Sequence, residues 1–193
     1  MPNLYIIAGC NGAGKTTASY TILPGILNCK EFINADEIAK GISPFQPETV
    51  SILAGRIMLE RINELLNQQV DFAIETTLTT LSYRKTIELA RSKGYQITLL
   101  YFWLNDVELA IERVKIRVSE GGHNIPEDVI IRRYYKGIYN LIDVFINLCD
   151  DWIIADNSVK PYTIIATGKS SKRIEIRDSK KWIKLIELEN GRS

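Results

Sequence analysis

The chain has 193 residues, of which 46% are hydrophobic and 24% are charged, and its formal net charge is +1. This length and composition are typical of a globular domain with a substantial core, and they exclude a disordered or collagen-like chain. The small net charge excludes a global basic field for nucleic acid, and no apolar run reaches the length of a transmembrane helix. We therefore expect a soluble protein that binds neither nucleic acid nor a membrane.

The cysteines and the amino terminus bear on the cellular location. Cys10, Cys29 and Cys149 form no short-range pair, so we expect no disulfide framework. Because the chain also has a single histidine, we expect no zinc site. Met1 is followed at once by a predicted core strand, which leaves no room for a signal peptide. We predict a cytoplasmic protein.

A phosphate-binding motif lies near the start of the chain. Residues 9–16 read GCNGAGKT and match the P-loop pattern G-x-x-x-x-G-K-[ST]. The apolar run at 4–8 suits a buried strand, and residues 16–20 can begin a helix, so the motif has the strand–loop–helix context it needs. A glycine-rich turn that binds nothing is the alternative. The predicted nucleotide-binding residues are Gly9, Cys10, Asn11, Gly12, Ala13, Gly14, Lys15, Thr16 and Thr17.

The chemistry of such a loop assigns roles to two of its side chains, Lys15 and Thr16. Backbone N–H groups and the start of a helix favour phosphate. Lys15 is expected to reach the β- and γ-phosphates of ATP, and the Thr16 hydroxyl is expected to ligate Mg²⁺. We expect Lys15 to be solvated rather than part of the core.

Strands and helices alternate along the rest of the chain. Apolar runs predict strands at 3–8, 31–34, 71–75, 96–104 and 152–155. Helical spacing predicts helices from the phosphate loop to about 25 and at 35–40, 47–68, 81–93, 106–118 and 126–148, with Gly41 and Gly94 as end residues. The alternation implies a parallel sheet with right-handed crossovers. We predict an α/β P-loop NTPase fold of three layers, αβα, with a five-stranded parallel sheet in the order 2-3-1-4-5.

The carboxyl-terminal part has a different pattern. Residues 162–167 and 173–177 are predicted to pair as a β-hairpin across 168–171, and residues 180–188 are predicted to form a last helix. No linker separates this part from the rest. We expect residues 1–193 to form a single domain.

Polar residues follow the second and third predicted strands. Ligands bind beyond the carboxyl ends of the strands in an open parallel sheet, so these side chains are candidates for substrate binding. Asn34 and Asp36 follow strand two, and Glu75, Thr76 and Thr77 follow strand three. We expect both groups to face the phosphate loop.

The two carboxylates of this set, Asp36 and Glu75, each have more than one possible role. Asp36 is a candidate general base for an acceptor hydroxyl, and the alternative is a helix N-cap. Glu75 could bind an acceptor, hold Mg²⁺ through water, or form an ordinary ion pair.

The central strand has no conventional acidic Walker-B end, since Asp106 is better explained as a helix cap. This favours small-molecule kinases over motor or transporter ATPases.

Arginines flank a glycine-rich break after the central strand. Arg113 and Arg117 share a helix face, Arg132 and Arg133 lie in the next helix, and residues 121–123 between them read Gly-Gly-His. We predict a lid at about 117–126, formed by Arg117, Gly121, Gly122, His123, Arg132 and Arg133. Its arginines would neutralise charge on a transferred phosphoryl group. The alternative is a solvated basic face paired with neighbouring glutamates.

Residues 156–158, Asp-Asn-Ser, follow the fifth strand. A nucleotide base could lie there, and turn formation explains the residues equally well.

Together these segments resemble the zeta toxin family of P-loop kinases. The likeness covers about the first 160 residues and rests on the phosphate loop, on INADEIA at 33–39, on IETT at 74–77, and on RVSEGGHNIP at 117–126 with Arg132-Arg133-Tyr134. The Asn-x-Asp segment and the Arg–Gly-Gly-His segment are more specific than the loop, which many NTPases share.

The resemblance implies an activity and its residues. The best-known activity of the family is ATP-dependent phosphorylation of UDP-N-acetylglucosamine on a sugar hydroxyl, which is toxic to cell-wall synthesis. It implies Asp36 as the catalytic base, Lys15 and Thr16 at phosphate and magnesium, and Glu75 near the substrate. Arg113 and Arg117 are the closest matches for catalytic lid arginines, and His123 takes a position that is basic in the larger toxins. An antitoxin is an implied partner.

We therefore predict a kinase that uses ATP and Mg²⁺ and transfers the γ-phosphate to a hydroxyl of a small molecule, by resemblance a nucleotide sugar. One rival is a kinase for another acceptor, such as a nucleoside, an antibiotic or a metabolite. The other rival is a nucleotide-dependent switch that binds ATP without transferring phosphate.

Overall fold

A computed structural model describes residues 1–122, 124–169 and 173–190. The strands are β1 (Asn3–Gly9), β2 (Glu31–Ile33), β3 (Phe72–Thr76), β4 (Gln96–Trp103), β5 (Asp151–Asp156), β6 (Thr163–Lys169) and β7 (Arg173–Ile176). The α-helices are α1 (Lys15–Gly25), α2 (Ala35–Ile42), α3 (Ser51–Gln68), α4 (Tyr83–Ser92), α5 (Val107–Ser119), α6 (Glu127–Asn140), α7 (Ile146–Leu148) and α8 (Ser179–Asn190). A 3₁₀ turn (Pro47–Val50) precedes α3, and a π-helical turn (Leu141–Phe145) joins α6 to α7.

The strands of the described residues form one mixed sheet in the order β2-β3-β1-β4-β5-β6-β7. The first five are parallel, which confirms the predicted order 2-3-1-4-5. The predicted C-terminal hairpin is present as β6 and β7, and it extends the sheet because β6 pairs antiparallel to β5. The sheet therefore has seven strands rather than five.

The central position of β1 follows from its side chains. Residues 4–9 of this strand are all buried, as expected for a parallel strand covered on both faces by helices. Because β1 lies between β3 and β4, its carboxyl end opens into the phosphate loop in the middle of the sheet edge. No helix in the described part of the chain is long and apolar enough to cross a membrane.

Glycine positions were predicted with mixed success. Gly94 has φ 82° and follows the end of α4, as predicted. Gly41 does not end α2, because the helix continues to Ile42. Gly168 and Lys169, predicted in the hairpin turn, belong to β6. The predicted long last helix of the parallel part is interrupted by the π-helical turn.

Candidate active site

The phosphate loop requires its glycines. Gly12 and Gly14 both have φ 77°, a left-handed conformation that side chains disfavour. A Cβ on Gly9 would lie 2.3 Å from the carbonyl oxygen of Phe102. Gly14 is also the N-cap of α1. The loop therefore leads β1 directly into a helix N-terminus, where backbone N–H groups and the helix dipole favour an anion.

Lys15 is buried rather than solvated, with 7% of its surface exposed. Its ammonium donates to the Cys10 carbonyl oxygen at 3.0 Å and lies 3.7 Å from Oε1 of Glu75. The expectation of a solvated side chain was wrong, because the loop folds around the ammonium. The positive charge is held inside the loop, next to a carboxylate.

The Glu75 carboxylate joins the phosphate loop to strand β2. Its Oε2 accepts hydrogen bonds from Thr16 Oγ1 at 2.8 Å and from Asn34 Nδ2 at 2.9 Å. The side chain is 9% exposed. One buried carboxylate thus contacts both residues expected at the nucleotide phosphates and at magnesium, Lys15 and Thr16.

The predicted strand order explains this position of Glu75. The side chain was expected to follow strand three and to face the phosphate loop, and the structure places it there, beside Thr16. Since the order 2-3-1-4-5 places β3 next to β1, an acidic end of β3 must lie near the phosphate loop. Among the described residues, no group of three or more His, Cys, Asp or Glu side chains could hold a metal ion.

Asp36 is not the N-cap of α2. That cap is Asn34, whose Oδ1 accepts from the backbone N–H of Asp36 at 2.8 Å and of Glu37 at 3.4 Å. Asp36 is exposed, and within the described chain its carboxylate has no hydrogen bond or ion pair. Asn34 therefore holds the Asp36 backbone with one end of its amide and Glu75 with the other, while the Asp36 carboxylate stays available.

Thr76 and Thr77 make local hydrogen bonds. Thr76 Oγ1 accepts from the Leu78 backbone N–H at 3.0 Å, and Thr77 Oγ1 lies 3.0 Å from Thr79 Oγ1. The loop is packed tightly, since a Cβ on Gly137 would lie 2.6 Å from the Thr77 carbonyl oxygen. Their contact with a substrate remains a prediction.

A groove of about 320 Å³ opens between α2, α3 and α4. It begins at Ala35, next to Asp36, and its walls include Met58 and Tyr83. Burial, and then the nearby charge of Asp36, raise the pKa of Tyr83 to about 12. Arg56 lines the groove, is exposed, and has no hydrogen bond or ion pair to any other described residue. The groove thus combines apolar walls, one available cation and a neighbouring carboxylate.

The predicted arginines occupy different environments. Arg133 Nη1 donates to Oδ1 of Asn11 in the phosphate loop at 3.3 Å. Arg113 donates from Nη2 to the Ser158 carbonyl oxygen at 2.8 Å and from Nη1 to the Gly12 carbonyl oxygen at 3.5 Å. Arg117 and Arg132 are exposed. Arg113 therefore links the turn at 158 to the phosphate loop, and its contact with a γ-phosphate remains a prediction.

The glycines of the predicted lid end helix α5. Gly121 has φ 87°, its N–H donates to the Val118 carbonyl at 3.0 Å, and the Gly122 N–H donates to the Arg117 carbonyl at 2.8 Å. This pair of bonds is a Schellman motif, in which a left-handed glycine closes a helix. Sequence reasoning missed this function, although a glycine just past a helix is its usual signal. His123 lies outside the described residues.

The turn after β5, residues 156–158, contacts the backbone of the phosphate loop. The backbone N–H of Ser158 donates to Asp156 Oδ1 at 2.8 Å, which confirms the turn-forming interpretation of these residues. Asn157 Nδ2 donates to the Ala13 carbonyl oxygen at 2.8 Å. This contact was not predicted, since it joins residues 144 positions apart in the chain.

These features define a class of protein. A β1–P-loop–α1 unit, parallel strands in the order 2-3-1-4-5, and a loop lysine and threonine beside a strand-end carboxylate are those of a kinase-like P-loop protein. The sequence matches the zeta toxin family over residues 1–160, and the chain belongs to that family. An uncharacterized protein of Haemophilus influenzae is 33% identical over 126 residues, which is 65% of this chain and 88% of that protein.

Solved structures share the fold. A chain of the crystal structure of AvrRxo1-ORF1:AvrRxo1-ORF2 with sulphate ions superposes with a TM-score of 0.78 at 16% identity, over 96% of this chain and 63% of that chain. A structure of the PezAT chromosomal toxin–antitoxin system of Streptococcus pneumoniae superposes with a TM-score of 0.71 at 20% identity, over 100% of this chain and 80% of that chain. A putative kinase of Chloroflexus aurantiacus gives 0.55 at 16% identity, over 68% and 75%. The chain spans less than two thirds of the AvrRxo1 chain.

Proposed function

We propose that this protein transfers the γ-phosphate of ATP to a hydroxyl group of a small molecule, by family resemblance a nucleotide sugar such as UDP-N-acetylglucosamine. The observation that carries the proposal is the convergence of Lys15, Thr16 and Asn34 on the buried Glu75 carboxylate. It supports the proposal because the nucleotide-binding loop and the end of strand β2, which leads to Asp36, are held in one connected arrangement.

The phosphate loop binds the nucleotide in this proposal. The N–H groups of residues 9–17 bind phosphate oxygens, and Lys15 turns from the Cys10 carbonyl and Glu75 to the β- and γ-phosphates. The Asp-Asn-Ser turn and Arg113 stabilise the loop by donating hydrogen bonds to its backbone carbonyls, at Ala13 and Gly12 respectively. Arg133, next to Asn11, and Arg117 balance negative charge on the transferred group.

The donor set beside the loop fits Mg²⁺. Thr16 Oγ1 and Glu75 Oε2 are 2.8 Å apart, and Mg²⁺ is commonly held by one or two protein oxygens together with waters and substrate phosphates. Thr16 would be a direct ligand, and Glu75 would bind directly or through water. Bound Mg²⁺ would neutralise charge on the β- and γ-phosphates.

The Asp36 carboxylate is the proposed general base. It accepts the proton of the acceptor hydroxyl as that oxygen bonds to the γ-phosphorus and the bond from the phosphorus to the β,γ-bridging oxygen breaks, which leaves ADP. Its exposure and lack of a partner among the described residues leave it available for this proton. Asn34 fixes the backbone from which the carboxylate projects.

The groove between α2, α3 and α4 is the proposed acceptor site. It starts next to Asp36, Met58 and Tyr83 offer it an apolar surface, and Arg56 offers it a cation. An acceptor with an anionic group and a partly apolar body matches this lining. Arg56→Ala should raise the KM for such an acceptor and leave the KM for ATP unchanged. If the variant and the wild-type protein have the same KM for the acceptor, Arg56 is not part of the site.

A lid at 117–126 remains part of the proposal, since Arg117 lies at the end of α5 and Arg133 reaches the phosphate loop from α6. Amide exchange at Gly121 and Gly122 should slow when an ATP analogue and Mg²⁺ bind. Unchanged exchange would exclude closure of this segment.

A panel of acceptors with labelled ATP tests the proposed function. Wild-type protein should label an acceptor, and Lys15→Ala should reduce transfer on the order of 10²–10³-fold. Labelling of a nucleoside, an antibiotic or a metabolite instead of a nucleotide sugar would favour another acceptor. ATP binding without transfer to any acceptor would favour a nucleotide-dependent switch.

We also propose an antitoxin protein as a partner and the cytoplasm as the location. Support for the partner comes from the family and from structural relatives that are complexes, AvrRxo1-ORF1 with AvrRxo1-ORF2 and the PezAT toxin–antitoxin system. The proposed use of ATP supports the cytoplasm. Expression of the wild-type chain should stop cell growth, and Asp36→Ala should abolish the arrest. Normal growth with active protein would contradict a toxic function.

A further inference from the structure

Helix α8 follows the part of the chain that matches the zeta toxin family, which ends at residue 160. It packs against α6 and β6, and its Trp182 stacks on Trp152 of β5 with ring centroids 6.1 Å apart and an interplanar angle of 8°. The helix is thus attached to the strand that ends at the phosphate-loop side of the sheet.

Lys181 of α8 pairs with a buried carboxylate at the end of β5. Its Nζ lies 2.9 Å from Oδ2 of Asp156, whose surface is only 2% exposed. Lys181 also contacts Asp178 at 3.5 Å and Thr163 Oγ1 at 3.3 Å. Burying a carboxylate is costly unless it is paired and hydrogen-bonded, so Lys181 stabilises Asp156 in this position.

Asp156 in turn fixes the residues after it. Its Oδ1 accepts from the backbone N–H of Ser158 at 2.8 Å and from the Ser158 hydroxyl. Ser158 Oγ accepts from the Asn105 backbone N–H at 2.8 Å, and the Asn157 N–H donates to the Trp103 carbonyl at 2.9 Å. The turn at 156–158 is therefore held on several sides.

The turn contacts the phosphate loop at two points. Asn157 Nδ2 donates to the Ala13 carbonyl at 2.8 Å, and it would lie 2.7 Å from a Cβ on Gly14. Arg113 bridges the Ser158 carbonyl and the Gly12 carbonyl. A chain of contacts thus runs from Lys181 through Asp156 to the loop backbone.

We infer that Lys181 is a positioning residue for the phosphate loop, which it holds in its anion-binding conformation through Asp156 and the turn at 156–158. The inference links α8, a helix beyond the family match, to the nucleotide site through Asp156 and the turn. Its effect on nucleotide affinity depends on the proposed kinase function, whereas its effect on the loop in the ligand-free protein does not.

Hydrogen exchange of the ligand-free protein tests the inference. In Lys181→Met the Ala13 amide, which donates to the Cys10 carbonyl, and the Ala18 amide, which donates to the Gly14 carbonyl, should exchange about threefold to thirtyfold faster. Lys181→Arg should restore most of the protection, because it keeps the positive charge. Lys180→Met is the matched control on the same helix, and it should leave both amides unchanged. Equal exchange in the Lys181→Met and Lys180→Met variants would overturn the inference.

Two further measurements separate positioning from unfolding and from the kinase proposal. The fluorescence of Trp182 stacked on Trp152 should stay as in wild type in Lys181→Met, and a shift to the solvated spectrum would show that α8 has detached, which overturns the inference. With nucleotide, the variant should raise the Kd of an ATP analogue about threefold to thirtyfold. If wild-type protein binds no nucleotide, the proposed function fails, and the exchange result still decides the inference.

Discussion

At the end of β3 the Glu75 carboxylate accepts hydrogen bonds from Thr16 and Asn34 and faces the Lys15 ammonium at 3.7 Å. These partners come from two other segments of the chain, the phosphate loop and the end of β2, so a single side chain sets their relative positions. Because Glu75 is largely buried, its charge acts in a medium where electrostatic interactions are stronger than in water.

Glu75→Gln should keep the hydrogen bonds from Thr16 and Asn34 but remove the charge beside Lys15. We expect phosphoryl transfer to slow by about 10²-fold and the Mg²⁺ concentration for half-maximal rate to rise. A single-turnover assay with a Mg²⁺ titration measures both. Glu31→Gln is the matched control, because Glu31, on the adjacent strand β2, forms a surface ion pair with Arg61 of α3. Equal behaviour of the two variants would show that Glu75 has no part in the reaction.

Single residues were predictable from sequence where the motif fixes them, and their partners were not. The positions of Lys15, Thr16 and Glu75 follow from a local pattern and from strand ends. The contact between Thr16 and Glu75 spans 59 residues, and the contact between Asn157 and Ala13 spans 144. Such contacts depend on the order of strands in the assembled sheet and on side-chain packing, which local sequence does not determine.

Helix and strand positions came from periodicity, whereas their ends depended on capping. Asp106 caps α5 by accepting from the Glu108 N–H at 3.0 Å, as predicted. Asp36 was interpreted as a base or a cap, and the structure gives the capping role to Asn34 two residues earlier. Asparagine and aspartate are both good N-caps, so sequence alone could not choose between neighbours.

Two glycines should respond oppositely to alanine. Gly121 has φ 87°, so Gly121→Ala should lower the free energy of unfolding by about 1–2 kcal/mol. Gly41 lies within α2, and a Cβ there would meet no atom within 4 Å, so Gly41→Ala should raise the free energy of unfolding by about 0.4–1 kcal/mol. Urea unfolding measures both changes. Gly121→Ala as stable as wild type would contradict the helix-ending role of Gly121.

At the scale of the molecule, the parallel sheet brings the functional segments to one edge and the C-terminal segment reinforces it. β6 and β7 extend the sheet beyond β5, and α8 places Lys181 against Asp156. The hairpin and last helix were predicted from sequence, but their attachment to the sheet was not, because it rests on the antiparallel pairing of β6 with β5.

The Lys181–Asp156 pair should make stability depend on pH. Burial alone would raise the pKa of Asp156, but hydrogen bonds from Ser158 and Lys181 outweigh it, so this pKa lies below its ordinary value of 3.8. A lowered folded-state pKa means that the stabilisation is complete above the unfolded pKa and is lost as pH falls through the folded one. The hydrogen bond with Asp156 raises the pKa of Lys181 above its ordinary value of 10.5. The stabilisation that the Lys181 charge provides is therefore complete below about pH 10.5.

Asp156→Asn isolates this contribution from other carboxylates, including Asp178 beside Lys181. We expect the variant to be less stable than wild type by about 1–3 kcal/mol between about pH 5 and 9, because Lys181 loses its charged partner. The difference should shrink below about pH 4. Urea unfolding at pH 7, 5, 4 and 3 measures it, and a difference that stays constant down to pH 3 would contradict the assignment.

Single-turnover transfer by Asp36→Asn, with nucleotide affinity measured on the same protein, tests the proposed mechanism most directly. Asparagine keeps the size of the side chain and removes its basicity, so transfer should fall by roughly 10²–10⁴-fold while ATP·Mg²⁺ affinity stays within about twofold. Because Asn34 caps α2, stability should be nearly unchanged. Glu37→Gln, an exposed acid in the same helical turn, is the control and should transfer at the wild-type rate. Near-normal transfer by Asp36→Asn would contradict a general-base role and leave Glu75 as the remaining carboxylate of the site.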